Sequence, residues 1–72
     1  MSMLNEIQKN ILIEINEFIN REGIPPTVRE NGQAVGLTSS SSVHSNLNKL
    51  EMKGYITKRK DSPRSIRVLK SI

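Results

Sequence analysis

The sequence contains no cysteine and a single histidine, and these two shortages limit its chemistry. Without cysteine there are no disulfides, no thiolate nucleophiles and no thiolate zinc sites. One histidine, His44, would need several carboxylate partners to hold a metal ion. We therefore expect no metal site and no cofactor, and a reducing cytoplasm fits this composition.

Long apolar runs are also missing. No stretch approaches the roughly 20 residues that cross a bilayer, and the N-terminal MSMLNEIQKN lacks a basic segment followed by an apolar one. We expect a soluble, cytoplasmic chain without membrane contact. Its 72 residues form one small domain, 1–72, which is too short to hold a large active-site cleft.

The net charge of +4 is unevenly distributed along the chain. Residues 1–26 carry −2 and residues 27–52 are balanced, whereas residues 53–72 carry +6. A basic pole of this kind indicates a polyanionic partner. The alternative interpretation is a basic tail that is merely solvated.

Apolar residues at spacings of three and four predict a first helix from about residue 3 to 21. This stripe consists of Leu4, Ile7, Ile11, Leu12, Ile15, Phe18 and Ile19. Ile13 lies off the stripe, and Gly23 with the following Pro25 and Pro26 ends the helix in an extended connection.

The segment T-V-R-E is a capping box, in which Thr27 and Glu30 each accept from the other's backbone N–H. It predicts a second helix that begins at residue 28. Gly36 ends this helix, and Leu37 and Thr38 form a tight connection to the serine run that follows.

Four consecutive serines, 39–42, are typical either of a linker or of the first turn of a helix. Apolar periodicity begins directly after them, which favours a third helix over residues 40–52 with Ser39 or Ser40 as its N-cap. Gly54 is its left-handed stop. The core-facing positions are Val43, Leu47 and Leu50.

Alternating apolar and polar residues predict two strands, 55–58 and 65–69, joined by a turn over 59–64. Tyr55 either stacks on a base or packs against the domain, and its place after Gly54 favours packing. The fold class is mostly α with a small β-hairpin: three helices and a two-stranded antiparallel wing, a winged helix-turn-helix. Any small three-helix domain with a hairpin shares this order.

Catalysis has little support in the sequence, and we expect no enzyme activity. No acidic residue stands three or four positions after His44 to orient it beside the serines. Gly32 and Gly36 lack the following lysine that a phosphate-binding loop requires.

Nucleic-acid binding accounts for more of the chain. The third helix carries short donors and acceptors that approach base edges and phosphates without steric barriers, although they also suit capping and solvation alone. These residues are Ser39, Ser41, Ser42, His44, Ser45 and Asn48.

The segments GIPPTVRENGQAVGL, SSSSVHSNLNKLEMKGYI and PRSIRVL resemble the N-terminal DNA-binding domain of LexA, the bacterial repressor family of the DNA-damage (SOS) response. The likeness covers residues 4–69. It implies a winged helix-turn-helix that represses transcription by binding palindromic operators as a homodimer. The recognition helix falls on residues 39–48 and the wing on residues 59–65. Backbone contacts are assigned to Thr27, Arg29, Lys53, Arg59, Lys60 and Arg64.

Two departures from this family stand out. Asn31 occupies a usually aliphatic position, and Asn31 with Gly32 lowers helix propensity by about 1 to 1.5 kcal/mol. Full repressors also continue into a self-cleaving serine-lysine protease domain that dimerises. We expect either an excised domain or a short homologue, with no self-cleavage.

Two alternatives share the fold: a protein-interaction module and a different winged-helix transcription regulator. The +6 terminal segment favours double-stranded DNA as the partner, because a protein-docking face would more often expose aromatic residues or methionine. Met1 and Met3 are the loose candidates for such a face.

We predict a monomer in dilute solution that occupies palindromic DNA as a pair. The core stripes absorb the apolar residues, which leaves little surface for a stable dimer. Sedimentation should show one mass without DNA, and a tight dimer in the absence of DNA would contradict the prediction.

Overall fold

The computed structural model describes residues 4–37 and 39–70, without the side chain of Ser40. Helix α1 spans Glu6–Glu22, α2 spans Val28–Ala34 and α3 spans Ser40–Met52. Strands β1, Ile56–Thr57, and β2, Arg67–Val68, pair in antiparallel register. This arrangement confirms the predicted winged helix. No helix in the described ranges is long and apolar enough to span a membrane.

Side-chain caps set where the helices begin. Asn5 accepts from the Gln8 N–H at 2.8 Å, and the Gln8 side chain accepts from Asn5 in return, so α1 starts at residue 6. The predicted start near residue 3 was wrong, because this capping box lies further along the chain. Met1, Met3 and Thr38, named in the sequence-based predictions, lie outside the described residues.

The core forms where α1 and α3 meet the hairpin. Nine apolar side chains from these elements and the residues beside them are 8% exposed or less. They are Leu4, Ile11, Leu12, Ile15, Val43, Leu47, Leu50, Ile56 and Ile66. Tyr55 is half-buried against this cluster with the Lys70 ammonium 4.7 Å from its ring centre, which confirms its packing role.

The core leaves more apolar surface exposed than the sequence predicted. Ile7 is 44% exposed although it was placed on the buried stripe, and Leu69 is 61% exposed. Met52 is 87% exposed, whereas Ile13 at 46% agrees with its position off the stripe. The premise that the core absorbs the apolar residues was therefore wrong at these positions.

The strands are also shorter than predicted, with two residues each in place of four and five. Backbone contacts beyond the ladder extend the pairing, because the Tyr55 carbonyl accepts from the N–H groups of Leu69 and Lys70 at 2.7 and 3.2 Å. The residues between the strands form a loop at the wing.

Two glycines shape the turn between α2 and α3. Gly36 has φ +79°, a left-handed conformation that L side chains rarely adopt. A Cβ atom on Gly32 would stand 2.6 Å from Cγ2 of Val43, so the missing side chain lets α2 approach α3 closely. Gly32 therefore has a packing role that helix propensity alone does not show.

Asn31 points into the core and is 1% exposed. Its Nδ2 donates to the Ile11 carbonyl over a long 3.4 Å, and its Oδ1 has no partner. A buried acceptor without a hydrogen bond costs free energy. The departure at position 31 is thus a buried, half-satisfied amide.

We predict that Asn31→Ile raises the free energy of unfolding by about 1 to 3 kcal/mol, because it buries apolar surface and removes the unpaired Oδ1. Denaturant unfolding of both proteins measures the change. Asn20→Ile is the matched control, since Asn20 is exposed on α1 and the same substitution there removes no buried amide. An unchanged or lowered midpoint for Asn31→Ile would contradict the prediction.

Candidate nucleic-acid interface

A groove runs between the helix-turn-helix and the wing. Residues of α2, α3 and the wing loop form its walls. Its lining includes four cationic side chains and no carboxylate among the described residues. The four are Arg29, Lys58, Arg59 and Lys60. A concave surface lined by one sign of charge concentrates a polyanion.

The predicted reading residues lie on the surface side of α3. Ser41, Ser42, His44, Ser45 and Asn48 are all exposed. His44 and Asn48 stand one turn apart and line the groove, facing the wing. The opposite side of α3 is the buried one, so the helix presents its polar side chains away from the core.

Ser39 and Thr27 act as helix caps. The Ser39 hydroxyl accepts from the Ser42 N–H at 3.4 Å, and the Thr27 hydroxyl accepts from the Glu30 N–H at 3.1 Å. Thr27 also lines the groove at the first turn of α2. Capping uses one lone pair of each hydroxyl, and its proton remains able to donate to a phosphate oxygen.

The wing loop is held by Ser65. Its Oγ accepts from the Arg59 N–H at 2.8 Å and lies 2.9 Å from the Ser62 carbonyl, to which it donates. Arg59 and Lys60 are exposed at the rim of the groove. A loop closed by its own side chain presents these two cations from a defined position.

The Arg64 side chain is 40% exposed, and its guanidinium contacts α2. Its Nη1 and Nη2 donate to Oε1 and Oε2 of Glu30 at 2.7 and 2.9 Å, and Nη1 also donates to the Pro25 carbonyl at 3.2 Å. Paired hydrogen bonds of this kind are the strong form of an ion pair. The assignment of Arg64 to DNA phosphate stays a prediction, and in this conformation Glu30 holds its guanidinium.

The pKa of the Glu30 carboxyl is lowered from its ordinary value of 4.5 to about 2. The largest cause is the hydrogen bond from Arg64, followed by the backbone N–H of Thr27. The same contact raises the pKa of Arg64. Both groups are therefore charged throughout the neutral range.

Lys53 points toward α1. Its Nζ donates to Oε1 of Gln8 at 3.4 Å, and Gln8 is 2% exposed. The Gln8 amide Nε2 lies 3.5 Å from Oδ1 of Asn46, whose own Nδ2 donates to the Ser42 carbonyl at 2.8 Å. A polar chain thus joins the start of α1 to the first turns of α3, and a phosphate role for Lys53 stays a prediction.

Comparison with known families agrees with this geometry. The family model described as the LexA DNA-binding domain matches residues 1–65. The chain belongs to the LexA DNA-binding domain family. Among curated proteins it is 52% identical over 69 residues to the LexA repressor of Halalkalibacterium halodurans, covering 96% of this chain and 33% of that repressor.

Two further LexA repressors show the same pattern. The Geobacillus thermodenitrificans protein is 48% identical over 71 residues, covering 99% of this chain and 34% of its own length. The Bacillus cereus protein is 49% identical over 69 residues, covering 96% and 34%. The chain spans about a third of the length of the curated LexA relatives it matches.

Two residues of the LexA-type groove were missed by the sequence reasoning. Gln33 is exposed in the groove one turn after Arg29, and that i, i+4 spacing was a usable signal. Lys58 lines the groove while its Nζ stands 3.7 Å from Oε1 of Glu51, a contact that local patterns do not indicate. Among the described residues, no group of acidic or histidine side chains is placed to hold a metal ion.

The low pKa of Glu30 predicts how stability depends on pH. A carboxyl whose pKa is lower in the folded state stabilises the fold above its unfolded pKa and loses that contribution as pH falls. Glu30→Gln should therefore unfold at a lower temperature than the parent at pH 7. The gap between the two midpoints should close between about pH 4.5 and pH 2.

Thermal unfolding at a series of pH values measures this gap. The glutamine amide introduced by Glu30→Gln keeps an oxygen for the Thr27 N–H and so preserves the cap. In an Arg64→Gln background the same substitution should give a smaller gap, because the main cause of the shift is gone. A gap of constant size from pH 7 to pH 2.5 would show that the ion pair does not stabilise the fold.

Proposed function

We propose that this domain binds double-stranded DNA sequence-specifically, with α3 in the major groove and the wing against the sugar-phosphate backbone. The observation that carries the proposal is the cationic groove that joins the exposed polar face of α3 to the wing, with no carboxylate among the described residues that line it. A duplex presents a polyanionic ridge beside each groove, so one docking pose satisfies both surfaces.

The two surfaces contribute differently to binding. Hydroxyl, imidazole and amide groups on α3 match the donors and acceptors of base edges. The cations Arg29, Arg59 and Lys60 match phosphate, which supplies affinity without reading sequence. Short side chains such as Ser41 and Ser45 also read bases through bridging water, so a simple residue-to-base code is not expected.

Within this proposal the domain acts as the DNA-binding part of a bacterial LexA-like transcriptional repressor of DNA-damage response genes. The support is its family membership and the relatives named LexA repressor. Binding as a homodimer on a palindromic operator is the corresponding proposal, since two copies of one domain read two half-sites related by symmetry. Such a role places the protein in the bacterial cytoplasm, on the nucleoid.

A protein-interaction module is the second candidate, and the exposed apolar side chains favour it. Met52 and Leu69 are the most exposed of them at 87% and 61%. Neither they nor Ile7, Ile13 and Ile24 line the groove. A protein partner on those side chains would therefore leave the groove available to DNA.

Removing one side chain from each surface tests whether α3 reads bases while the wing cations bind phosphate. Lys60→Ala should weaken binding to operator and to random duplex alike, and lower the salt slope by about 0.9, because one phosphate contact is lost. His44→Ala should weaken operator binding by about 1 to 3 kcal/mol per lost base contact and leave the slope unchanged.

Fluorescence anisotropy at several salt concentrations measures both variants. The operator duplex is selected from a random pool by the parent protein. If both variants changed the affinities and the salt slope in the same way, the separate roles of α3 and the wing would be contradicted. If neither variant changed DNA binding, the protein-interaction module would be favoured.

A further inference from the structure

The Glu30–Arg64 pair joins the wing to the first turn of α2 across 34 positions of sequence. Ion pairs at the surface usually contribute little, because ordering two long side chains costs entropy. Here both ends are already held. Glu30 is fixed by accepting from the Thr27 N–H at 2.9 Å, and the Arg64 guanidinium also donates to the Pro25 carbonyl.

The pair stands where it controls the shape of the groove. Glu30 belongs to α2, and the nearby α2 residues Arg29 and Gly32 line one wall of the groove. Arg64 precedes Ser65, whose hydroxyl holds the loop that carries Arg59. The two-residue strands provide few ladder hydrogen bonds to fix the wing. Ile56 and Ile66 anchor the hairpin in the core, and the bidentate contact to α2 adds a restraint on the loop that precedes Ile66.

We propose that Glu30 and Arg64 are positioning residues for DNA binding: their pairing holds the wing against α2 so that the wing and α3 meet one duplex together. This inference rests on the proposed function. It reassigns Arg64 from a phosphate contact to a contact with Glu30. It also has a consequence that runs against simple electrostatics, because neutralising Glu30 removes a negative charge from the protein yet weakens binding to DNA.

The test compares Glu30→Gln, Arg64→Gln and the double variant, with the net charge of the double variant equal to that of the parent. Each should weaken binding to the selected operator by the same factor, between about 2-fold and 30-fold, because each breaks the same contact. The double variant should be no weaker than either single variant. Folding of each variant is checked by circular dichroism at the assay temperature.

A matched control separates positioning from charge. Glu17→Gln removes the same charge from an exposed residue of α1 that has no ion pair among the described residues. It should leave binding unchanged or strengthen it slightly. Lys60→Gln serves as the phosphate-contact control and should lower the salt slope by about 0.9.

The opposite result for Glu30→Gln would overturn the inference. If Glu30 merely masked Arg64, its neutralisation would release the guanidinium to phosphate, tighten binding to operator and random duplex, and raise the salt slope by about 0.9. Arg64→Gln would then weaken binding while Glu30→Gln strengthened it. Equal binding by the parent and the double variant would also overturn it.

A measurement without DNA keeps the inference separate from the proposed function. In 15N-resolved NMR spectra at pH 7, Glu30→Gln and Arg64→Gln should shift the same amide signals across the wing, residues 59–65, and the Arg64 guanidinium signals should change in Glu30→Gln. Shifts confined to the first turn of α2 would overturn the inference. A parent that binds no duplex, with the wing shifts present, would instead overturn the proposed function.

Discussion

The packing of α3 against α1 is the interaction on which the rest of the structure depends. Val43, Leu47 and Leu50 are 0–2% exposed, and they meet the buried stripe of α1. This contact fixes the rotation of α3 about its own axis. His44 and Asn48 therefore face the groove because Val43 and Leu47 face the core. One helix supplies both a wall of the core and the reading surface, so the two roles constrain each other.

The short second helix fits into this arrangement through a small and a polar residue, at positions where helix propensity or apolar burial alone would favour others. Gly32 has a low helix propensity, but the absence of a side chain there lets Val43 pack against α2. Asn31 buries less apolar surface than an aliphatic residue would, and its Oδ1 has no hydrogen-bond partner. Both residues are buried; Asn31 faces the core, whereas Gly32 also lines the groove. The unpaired Oδ1 of Asn31 thus lies behind the surface that we propose for DNA.

Local signals in the sequence were sufficient to predict the order of the elements. The Thr27–Glu30 capping box, the Ser39 cap and the apolar spacing of α3 each act within a few residues, so they can be read directly from the chain. The family resemblance added the function, which local patterns left as one of several alternatives.

Contacts between distant residues could not be predicted in this way. Glu30 and Arg64 are 34 positions apart, and Gln8 and Asn46 are 38 apart. No local period encodes such pairs, since they exist only after the helices have packed. The exposure of Ile7 was missed for a related reason, because a 3.6-residue period locates a stripe but not how far the neighbouring elements cover its edges.

A single core holds α3 and the wing on one face of the domain, and we propose that this face meets DNA. Titration of 15N-labelled protein with the selected duplex, monitored by amide chemical shifts, tests this arrangement. We predict that the large shifts fall in two segments, residues 39–48 and 59–65, and appear at the same duplex concentrations. Shifts centred on α1, or in only one of the two segments, would contradict it.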